Sequence, residues 1–425
     1  MHQFLDFKSF EDATLDTWKP FTVLIGKNGS GKSNAIEGVE LLAELAHGRP
    51  LYEISDIGRG AGSFQIRGGL PACPRTGKNA FGLRFSSGLE HDRYQVWLME
   101  YELFVQPLPE PRIQKERLTI GGRVIFDAQL KSGSGILSVK YDNFARGPNK
   151  PTETLSAERS VLSRYETFAS QNPKRKHVLE SVDELRRYLR ASFVFDPQPK
   201  AMRAYERIGN RVLTRDGANL SAVLYALEKG TETERASLAR LLAWIRQLPE
   251  EPIAEFAFVT TSLNDVIFGF KESKDSAIVD ARLLSDGTLR CLAVLAALET
   301  VTEGSRVVIE EFDNGLHPSR VNILTQAISD VTTRRKLNVV CTTHNPATLD
   351  GLTPEQLKGV VLCFWDREKK ASRLIPLLEL PRVDTLLERG HLGDLVTRRI
   401  LEQHLLPNFE EQQKAKAQEW LGSLP

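Results

Sequence analysis

Residues 26 to 33 read Gly-Lys-Asn-Gly-Ser-Gly-Lys-Ser and match the phosphate-binding pattern G-x-x-x-x-G-K-[S/T] in full. The glycines of this pattern let the backbone curl so that successive N–H groups point at phosphate oxygens. Lys32 stands where the lysine of the pattern reaches the β- and γ-phosphates, and the Ser33 hydroxyl stands where it can bind Mg²⁺. These residues, hereafter the phosphate loop, predict a site for a nucleoside triphosphate and a magnesium ion.

The flanking sequence supplies the two elements that such a loop needs. Residues 21–25 form an apolar run typical of a buried strand, and apolar residues recur at helical spacing from 35 to 46. A strand, a glycine loop and a helix in this order place the positive end of the helix dipole under the phosphates. The residues expected to bind the nucleotide here are Gly26, Asn28, Gly29, Ser30, Gly31, Lys32, Ser33 and Asn34.

A second apolar run, residues 306–309, ends in two adjacent carboxylates, Glu310 and Glu311. A phosphate-loop enzyme needs acids of this kind beside its magnesium ion: one holds the metal or its water, and the other orients or deprotonates the attacking water. Two acidic residues after a strand are common in proteins. We assign a function to this pair because the sequence also contains the phosphate loop.

Two further polar segments border apolar elements. Ser285-Asp286-Gly287-Thr288 precedes a good apolar helix, so it predicts either a second anion site at a helix N-terminus or an ordinary helix cap. The apolar run that begins at Val339 ends in Thr-Thr-His, with the histidine at position 344. His344 is placed to sense a γ-phosphate, or it is a surface or satisfied core histidine.

The composition describes an ordinary globular protein. The chain has 425 residues, 41% of them hydrophobic and 26% charged, with a formal net charge of +1. This length suits two or three domains or one large domain with insertions, and this charge excludes a strongly basic or acidic protein. The four cysteines form no C-x-x-C pair, the start lacks a signal-peptide pattern, and no apolar run approaches about 18 residues. We therefore expect a cytoplasmic protein that does not contact membranes.

The secondary-structure pattern changes along the chain. Residues 80–141 contain short aromatic and β-branched segments with a Gly-Gly turn at 121–122, which predicts an antiparallel sheet. Residues 142–255 are richer in helical patterns. From 282 onward helices and strands alternate, which is typical of βαβ units and a mostly parallel sheet. The predicted helices are 178–191, 219–227, 234–247, 287–302 and 318–330, and the predicted later strands are 256–260, 265–270, 278–281, 305–310, 337–343 and 358–365.

Taken in order, the phosphate loop, residues 285–288, residues 310–318 and residues 342–344 resemble the ATPase heads of the ABC superfamily. The resemblance is greatest to the branch shared by the structural-maintenance-of-chromosomes (SMC) heads, RecF and the OLD (overcoming lysogenization defect) ATPases. The segments Phe-Lys-Ser-Phe at 7–10 and Asp-Gly-Ala-Asn-Leu at 216–220 also resemble this branch. The resemblance covers most of the chain.

This resemblance implies an α/β fold of the ABC-ATPase head type, with a mixed, mostly parallel sheet flanked by helices, an antiparallel β subdomain and a helical insert. The implied regions are the N-terminal half of the head at 1–141, a mainly helical insert at 142–255, the C-terminal half of the head at 256–370 and a helical extension at 371–425.

The resemblance also implies roles for the site residues. Ser285, Asp286 and Gly287 stand at the signature motif, which touches the γ-phosphate of an ATP held by another subunit. Glu311 stands at the catalytic base and His344 at the switch histidine. The implied magnesium ligands are Ser33, Glu310 and Gln65, although Gln65 is equally interpretable as a loop glutamine.

Two positions depart from the family pattern. Glu310 stands where the first acid is usually Asp, which is compatible with slow hydrolysis. Asp286 stands where transporters carry Gly, which argues against a transporter subunit.

The implied mechanism is a head-to-tail homodimer that holds two ATP molecules between its subunits. Residues after 350 show no Asp-x-Asp cluster of the OLD nuclease type, so the leading hypothesis is an ATPase that gates a separately encoded nuclease or toxin, as in the antiphage systems Septu and PARIS. One alternative is a RecF-like ATPase that binds duplex DNA, because basic residues outnumber acidic ones in 171–215, a stretch that could also be a solvated helical face. Another is an ATP-binding scaffold with little turnover.

Overall fold

The computed structural model describes residues 1–55, 64, 66–91, 95–144, 149–169, 176–249 and 252–403. The strands among them are β1 (His2–Phe7), β2 (Phe10–Leu15), β3 (Phe21–Ile25), β4 (Phe81–His91), β5 (Gln95–Gln106), β6 (Arg112–Ile120), β7 (Arg123–Leu130), β8 (Ile136–Tyr141), β9 (Thr152–Ser156), β10 (Ser192–Phe195), β11 (Glu206–Arg207), β12 (Glu255–Thr260), β13 (Asp265–Lys271), β14 (Val279–Asp280), β15 (Arg306–Ile309), β16 (Asn338–Thr343), β17 (Val360–Asp366) and β18 (Ala371–Pro376).

The helices of the same residues are α1 (Lys32–His47), α2 (Leu51–Ser55), α3 (Tyr165–Ala169), α4 (Lys176–Arg190), α5 (Leu220–Lys229), α6 (Glu232–Ile245), α7 (Asp286–Thr300), α8 (Pro318–Arg335), α9 (Pro346–Asp350), α10 (Pro354–Leu357), α11 (Val383–Arg389), α12 (Leu392–Thr397) and α13 (Ile400–Gln403). None of these helices is both long enough and apolar enough to cross a membrane.

One large sheet runs through the described part of the chain. Its fourteen strands follow the order β10-β15-β16-β3-β17-β18-β2-β1-β4-β5-β6-β7-β8-β9. The first five are mutually parallel, and the strands from β1 to β9 along this order pair antiparallel. The predicted α/β fold is confirmed, and its antiparallel strands continue the head sheet through the β1–β4 pair. A separate small sheet contains β11, β13, β12 and β14.

The register of the parallel strands determines which loops meet. Thr343 at the end of β16 lies opposite Ile25 at the end of β3, and Cys341 of β16 lies opposite Ile309 at the end of β15. The carboxyl ends of these three strands therefore share one edge of the sheet. Open α/β sheets bind ligands at this edge.

The parallel strands are buried on both faces, because alternate residues of each strand enter different cores. Val23, Val307 and Val339 pack on one face with residues of α5 to α8, whereas Leu24 and Val308 pack on the other face with residues of α1 and α4. Strands covered by helices on both sides are continuous apolar runs, which is why β3, β15 and β16 could be recognised in the sequence.

Five strands escaped the sequence analysis, namely β2, β9, β10, β11 and β18. The strand β10 is short and follows directly on α4, yet it pairs with β15 and lies at one edge of the head sheet. It belongs to the stretch 142–255 that was predicted to be mainly helical. Likewise β18 begins the predicted helical extension and pairs with β17. The domain boundaries stay a prediction, and the large sheet draws strands from all four predicted regions.

Candidate nucleotide-binding and hydrolysis site

The phosphate loop connects β3 to α1 in a conformation that requires glycine. Gly26 and Gly31 have φ angles of 142° and 112°, a region that L-amino acids with side chains rarely adopt. A Cβ on Gly26 would also lie 2.0 Å from the carbonyl oxygen of Cys363 in β17. The loop can therefore lie close against the neighbouring strand only with glycine at this position.

Lys32 lies inside the curl of the loop. Its Nζ donates hydrogen bonds to the carbonyl oxygens of Gly26 at 2.5 Å and Lys27 at 3.0 Å. Burial lowers the pKa of Lys32, and the nearby Cys363 and Glu311 oppose this shift. A cation held among backbone dipoles in the mouth of a loop is positioned to bind phosphate oxygens.

A cavity of about 250 Å³ opens above the loop. Its lining comprises loop residues and four residues from elsewhere in the chain. The lining residues are Lys27, Asn28, Gly29, Gly31, Lys32, Ser33, Asn34, Arg67, Glu310, Glu311 and Thr342. The structure thus brings together the predicted loop and the predicted acid pair. Of the remaining predicted loop residues, Gly26 lies at the base of the loop, and Ser30 is buried against β17, where its carbonyl oxygen accepts a hydrogen bond from the Cys363 thiol at 3.1 Å.

Glu310 lies next to the loop serine. The Ser33 hydroxyl donates a hydrogen bond to the Glu310 carboxylate, and Arg215 Nη2 lies 3.8 Å from its Oε1. Burial raises the pKa of Glu310, and Arg215 opposes this effect. A hydroxyl and a carboxylate at hydrogen-bond distance beside a phosphate loop form a donor set that fits Mg²⁺, which binds few protein ligands besides phosphate and water.

Glu311 has a strained backbone. Its φ of 44° lies in the left-handed region, and its N–H donates to Thr342 Oγ1 at 2.8 Å. Its carboxylate accepts a hydrogen bond from Asn314 Nδ2 at 3.1 Å and lies 3.7 Å from His344 Nδ1. Strain of this kind is concentrated at active sites, where surrounding contacts hold the residue in place. The predicted base and the predicted switch histidine are therefore neighbours.

Asp313 connects the loops that follow β15 and β16. It is 2% exposed, and its Oδ2 accepts hydrogen bonds from the hydroxyls of Thr343 and Thr348. Burial raises the pKa of Asp313 despite these hydrogen bonds. Since Thr343 precedes His344, this carboxylate links the segment after Glu311 to the segment that contains His344.

Arg67 was missed by the sequence analysis. It lines the cavity, and its Nε donates to Glu37 Oε1 of α1 at 2.6 Å. Lys8 also forms an ion pair with Glu37 and donates to the carbonyl oxygen of Arg67 at 3.1 Å. Gln65, the proposed magnesium ligand two residues earlier, lies outside the described residues. Arg67 is part of no local motif, so only its tertiary contacts identify it.

Arg215 connects α1 to Glu310 and was also missed. Its Nη1 donates to Glu40 Oε1 at 2.7 Å, whereas its Nη2 faces Glu310. Glu40 is 7% exposed, and burial raises its pKa to about 8 although Arg215 opposes the shift. One guanidinium thus lies between a carboxylate on the helix of the phosphate loop and the first acid after β15.

The predicted signature residues lie at the start of α7. Ser285 is the N-cap: its Oγ accepts a hydrogen bond from Thr288 N at 3.1 Å and lies 2.8 Å from Thr288 Oγ1. Ser285 and Asp286 are both exposed. This segment does not line the described cavity around the phosphate loop. Ser285 is therefore both an ordinary cap and an exposed group at a helix N-terminus.

Two arginines surround this helix end. Arg203 Nη2 lies 2.7 Å from Asp286 Oδ1 and donates to the carbonyl oxygen of Leu284 at 2.8 Å. Arg320 of α8 donates through Nη1 to Thr288 Oγ1 at 2.9 Å and to Ser285 Oγ at 3.2 Å. Neither arginine was predicted, because each is an isolated basic residue far along the chain from its partner.

The basic stretch 171–215 does not form a continuous basic face among its described residues. Several of its arginines lie within 4 Å of a carboxylate. These pairs are Arg186 with Glu166 and Asp183, Arg203 with Asp286, Arg207 with Asp265, Arg211 with Glu234, and Arg215 with Glu40. These charges mainly connect elements of the fold.

Comparisons with known proteins identify the family of the chain. A family model described as "AAA domain, putative AbiEii toxin, Type IV TA system" matches residues 21–350, which include the phosphate loop, both acids and His344. Two curated proteins named DNA replication and repair protein RecF are similar over short segments. The Gloeobacter violaceus protein is 41% identical over 58 residues, 14% of this chain and 16% of that protein. The Crocosphaera subtropica protein is 38% identical over 82 residues, 19% and 21% of the two chains.

Solved SMC heads are similar in structure. An SMC head bound to the C-winged helix domain of ScpA aligns with a TM-score of 0.46 and 11% identity, covering 88% of this chain and 95% of that one. The SMC head domain from Thermotoga maritima aligns with a TM-score of 0.42 and 11% identity, covering 88% and 97%.

Proposed function

We propose that this chain binds and hydrolyses ATP as a head-to-tail homodimer that gates a separately encoded effector. The chain belongs to the AAA-domain family described as "putative AbiEii toxin, Type IV TA system". One observation carries the proposal. A single cavity contains the phosphate-loop lysine, the Ser33–Glu310 pair and Glu311, while the predicted γ-phosphate contact, Ser285, is exposed outside it. In the proposed dimer each chain would contribute its cavity to one shared site and its exposed Ser285 segment to the other.

In the proposed site Lys32 and the backbone N–H groups of the phosphate loop bind the β- and γ-phosphates. Arg67, held by Glu37, adds a second positive charge at the cavity wall. Ser33 and Glu310 would hold Mg²⁺, which when bound neutralises the charge that develops on the phosphoryl oxygens. All of these side chains are oriented by contacts within one chain.

Glu311 is the proposed catalytic base. Its carboxylate lies at the mouth of the cavity, where it can accept the proton of the water that attacks the γ-phosphate. His344, 3.7 Å away, orients this carboxylate and senses the terminal phosphate. Asp313 joins the two loops, so that loss of the γ-phosphate at His344 changes the position of the segment after Glu311.

The surface around Ser285 supports association with a second copy. Ser285 and Asp286 are exposed, and Leu283 beside them is 74% exposed. In the proposed dimer the exposed helix N-terminus would face the terminal phosphate, and Leu283 beside it would be covered by the second chain. Head-to-tail pairing about a two-fold axis would place this surface of each chain over the phosphate loop of the other and so bury both.

The proposed output is control of a second protein. The family description names a putative toxin of a type IV TA system. This supports a two-component arrangement, in which ATP binding closes the dimer and hydrolysis opens it. The biological role that we propose for this arrangement is defence against phage.

A second candidate is an ATP-binding scaffold with little turnover. The position of Arg215 favours it. The guanidinium of Arg215 lies 3.8 Å from Glu310 and competes with a metal cation for the same carboxylate. The RecF-like alternative gains no support from the basic stretch, because its described arginines mostly pair with acids of the same chain.

The test combines two measurements on the purified chain. Light scattering after gel filtration reports its mass with and without ATP and Mg²⁺, and phosphate release reports turnover. The proposal predicts a dimer only with ATP and a measurable release rate. A stable ATP-bound dimer without release would favour the scaffold, and a mass unchanged by ATP would contradict the shared site. Co-purification with the product of the neighbouring gene, compared with and without ATP, tests the effector.

A further inference from the structure

Arg306, at the start of β15, is a buried cation without a counter-ion in the part of the chain that the structure describes. Its side chain is 1% exposed, and none of its three guanidinium nitrogens has a hydrogen-bond partner there. The guanidinium carbon lies 4.6 Å from the ring centroid of Tyr188 in α4, which is a cation–π contact. Such a contact offsets only part of the cost of removing a charge from water, so this position favours an anion supplied from outside the fold.

Two other buried polar side chains near Arg306 also lack hydrogen-bond partners among the described residues. Ser192 of β10 is the register partner of Arg306, so the two side chains lie on the same face of neighbouring strands. Both ring nitrogens of His2 are unpartnered, and burial, reinforced by the charge of Arg306, holds the pKa of His2 well below its usual range. The ring is therefore neutral and adds hydrogen-bonding capacity but no second positive charge. These three residues, hereafter the Arg306 cluster, suit a single negative charge.

A cavity of about 630 Å³ lies on the same side of the head sheet as this cluster. Its lining includes Phe85 and Leu185, which belong to the same hydrophobic core as Val308. Arg306 and Val308 are two residues apart in β15, so their side chains point to the same side of the sheet. The cavity also contacts residues 302–305 before β15, so it lies toward the amino ends of the parallel strands, opposite to the phosphate loop.

Aromatic rings separate this cavity from the Arg306 cluster. Phe85 and Tyr188 both line the cavity. The Phe85 ring centroid lies 5.1 Å from that of His2, and the Tyr188 ring covers the guanidinium. Trp18, which also lines the cavity, stacks on Tyr188 with centroids 4.2 Å apart. A turn of the Tyr188 side chain would therefore bring the guanidinium into contact with the cavity.

We propose that this cavity binds a small organic carboxylate, whose carboxylate group pairs with Arg306 in place of the Tyr188 ring and whose flat apolar part packs against the aromatic wall. The volume lies in the range of small-molecule sites, which are mainly apolar and contain few oriented polar groups. The planar guanidinium offers the paired donors that match the two oxygens of a carboxylate.

The charges around the cavity leave Arg306 to decide its sign. Among the described lining residues, two acids, Glu184 and Glu303, balance two bases, Arg187 and Arg190. Arg306 behind the aromatic wall adds one positive charge to this neutral set. The described linings of this cavity and of the phosphate-loop cavity share no residue, so the inference does not rest on the proposed function.

The experiment measures binding of aryl carboxylates to the purified full chain without nucleotide, by saturation-transfer NMR and quenching of tryptophan fluorescence. The probes are benzoate, cinnamate and indole-3-acetate, each compared with its uncharged amide. We expect the best of the acids to bind about tenfold or more tightly than its amide, because the amide loses the charge-assisted pair with a buried guanidinium. No binding of any acid at about 10 mM, or equal binding of acid and amide, would overturn the proposal. Binding of a glutamate-rich peptide but of none of the acids would mean that the site takes an acidic protein segment, and the small-molecule assignment would be wrong.

Two arginine variants test which charge is responsible. Arg306→Met is compared with Arg187→Met, which removes an exposed arginine from the same cavity. Arg306→Met should weaken binding of the acids by about tenfold or more, and Arg187→Met by less than about twofold. Undiminished binding by Arg306→Met, or equal losses in the two variants, would contradict the assignment of Arg306.

Urea unfolding without any probe gives an independent readout. Replacing an unpaired buried cation by an apolar side chain of similar length is neutral or stabilising, so Arg306→Met should unfold at the parental urea concentration or above it. A variant that is less stable or fails to fold would show that the fold already satisfies Arg306, and the proposal would be wrong. Tyr188→Leu keeps Arg306 and removes the ring that covers it, so it should bind the acids more tightly than the parent; weaker binding of the acids would contradict the displacement of Tyr188.

Discussion

The phosphate-loop half and the signature half of the proposed site differ in how they are built. In the first half, Lys32, Glu310 and Glu311 line one cavity and are held by contacts around the edge of a buried parallel sheet. In the second half, Ser285 and Asp286 lie exposed at a helix end and are held by two arginines. The contrast is what the proposed dimer requires: one half that is arranged within a single chain, and an exposed surface that a second chain would cover.

The two halves should consequently respond differently to substitution. Changes in the cavity should alter each chain by itself, whereas changes at the helix end should act only on the neighbouring chain. The following predictions test this difference between the two halves, in order of decreasing expected effect.

Lys32→Ala should abolish ATP binding. It removes the cation that is enclosed by the carbonyl oxygens of the phosphate loop, and no other lysine of this loop is buried as deeply. Fluorescent-nucleotide titration should show affinity reduced by at least about 100-fold, in line with the loss of a charge-assisted phosphate contact in a desolvated site. Lys27→Ala, in the same loop, is the matched control and should retain binding. Equal loss in both variants would mean that Lys32 has no special role.

Glu311→Gln should bind ATP but scarcely hydrolyse it. The amide keeps the size of the side chain and its contact with Asn314 but cannot accept the proton of water. Phosphate release should fall by about 10²- to 10³-fold, and light scattering should show a dimer that persists after free ATP is removed. Hydrolysis at the parental rate would contradict the assignment of the base and would direct attention to Glu310.

Glu40→Gln should change the pH dependence of stability. Burial raises the pKa of Glu40 from 4.5 to about 8, so between these values the folded chain holds a proton that the unfolded chain has lost. The free energy of unfolding of the parent should therefore fall as pH rises through this window, by at most about 1.4 kcal/mol per pH unit.

The Gln variant should lack this contribution, and urea unfolding from pH 5 to 8.5 measures the difference. Glu44→Gln, on the same helix and paired with Arg49, is the control. Parallel pH profiles of Glu40→Gln and the parent would show that Glu40 is not held protonated beside Arg215.

Arg203→Ala should have the smallest effect. It leaves Asp286 without its partner at the proposed interface, and the Asp286 side chain is 75% exposed, so the ATP concentration for half-maximal dimer formation should rise by about two- to fivefold. Asp286→Asn added to Arg203→Ala should restore the parental value. ATP binding by the isolated chain should not change, and a change there would place this pair in the cavity half instead.

The phosphate-loop half could be predicted from the sequence, because its binding and catalytic residues lie in continuous segments. The phosphate loop and the acid pair each follow an apolar strand, so a local pattern identifies both residue type and position. The arginines could not be predicted in the same way. Arg215 and Glu40 are 175 residues apart, and Arg320 and Ser285 are 35 apart, and neither pair leaves a periodic or spaced signal.

The strands that were missed share a physical cause. The strand β10 has four residues directly after a helix, and β18 has six residues that contact β2 through one register pair. Their place in the sheet depends on pairing with distant strands, which local propensity does not report. The antiparallel strands β4 to β8 were predicted because their segments are rich in aromatic and β-branched residues and a Gly-Gly turn lies at 121–122.

The most direct test of the shared site is a structure of the Glu311→Gln variant with ATP and Mg²⁺. The account predicts two chains related by a two-fold axis, with ATP over Lys32 of each chain and Ser285 Oγ of the facing chain within hydrogen-bond distance of the γ-phosphate. ATP bound at Lys32 with Ser285 turned away from every terminal phosphate, in any oligomer, would contradict it.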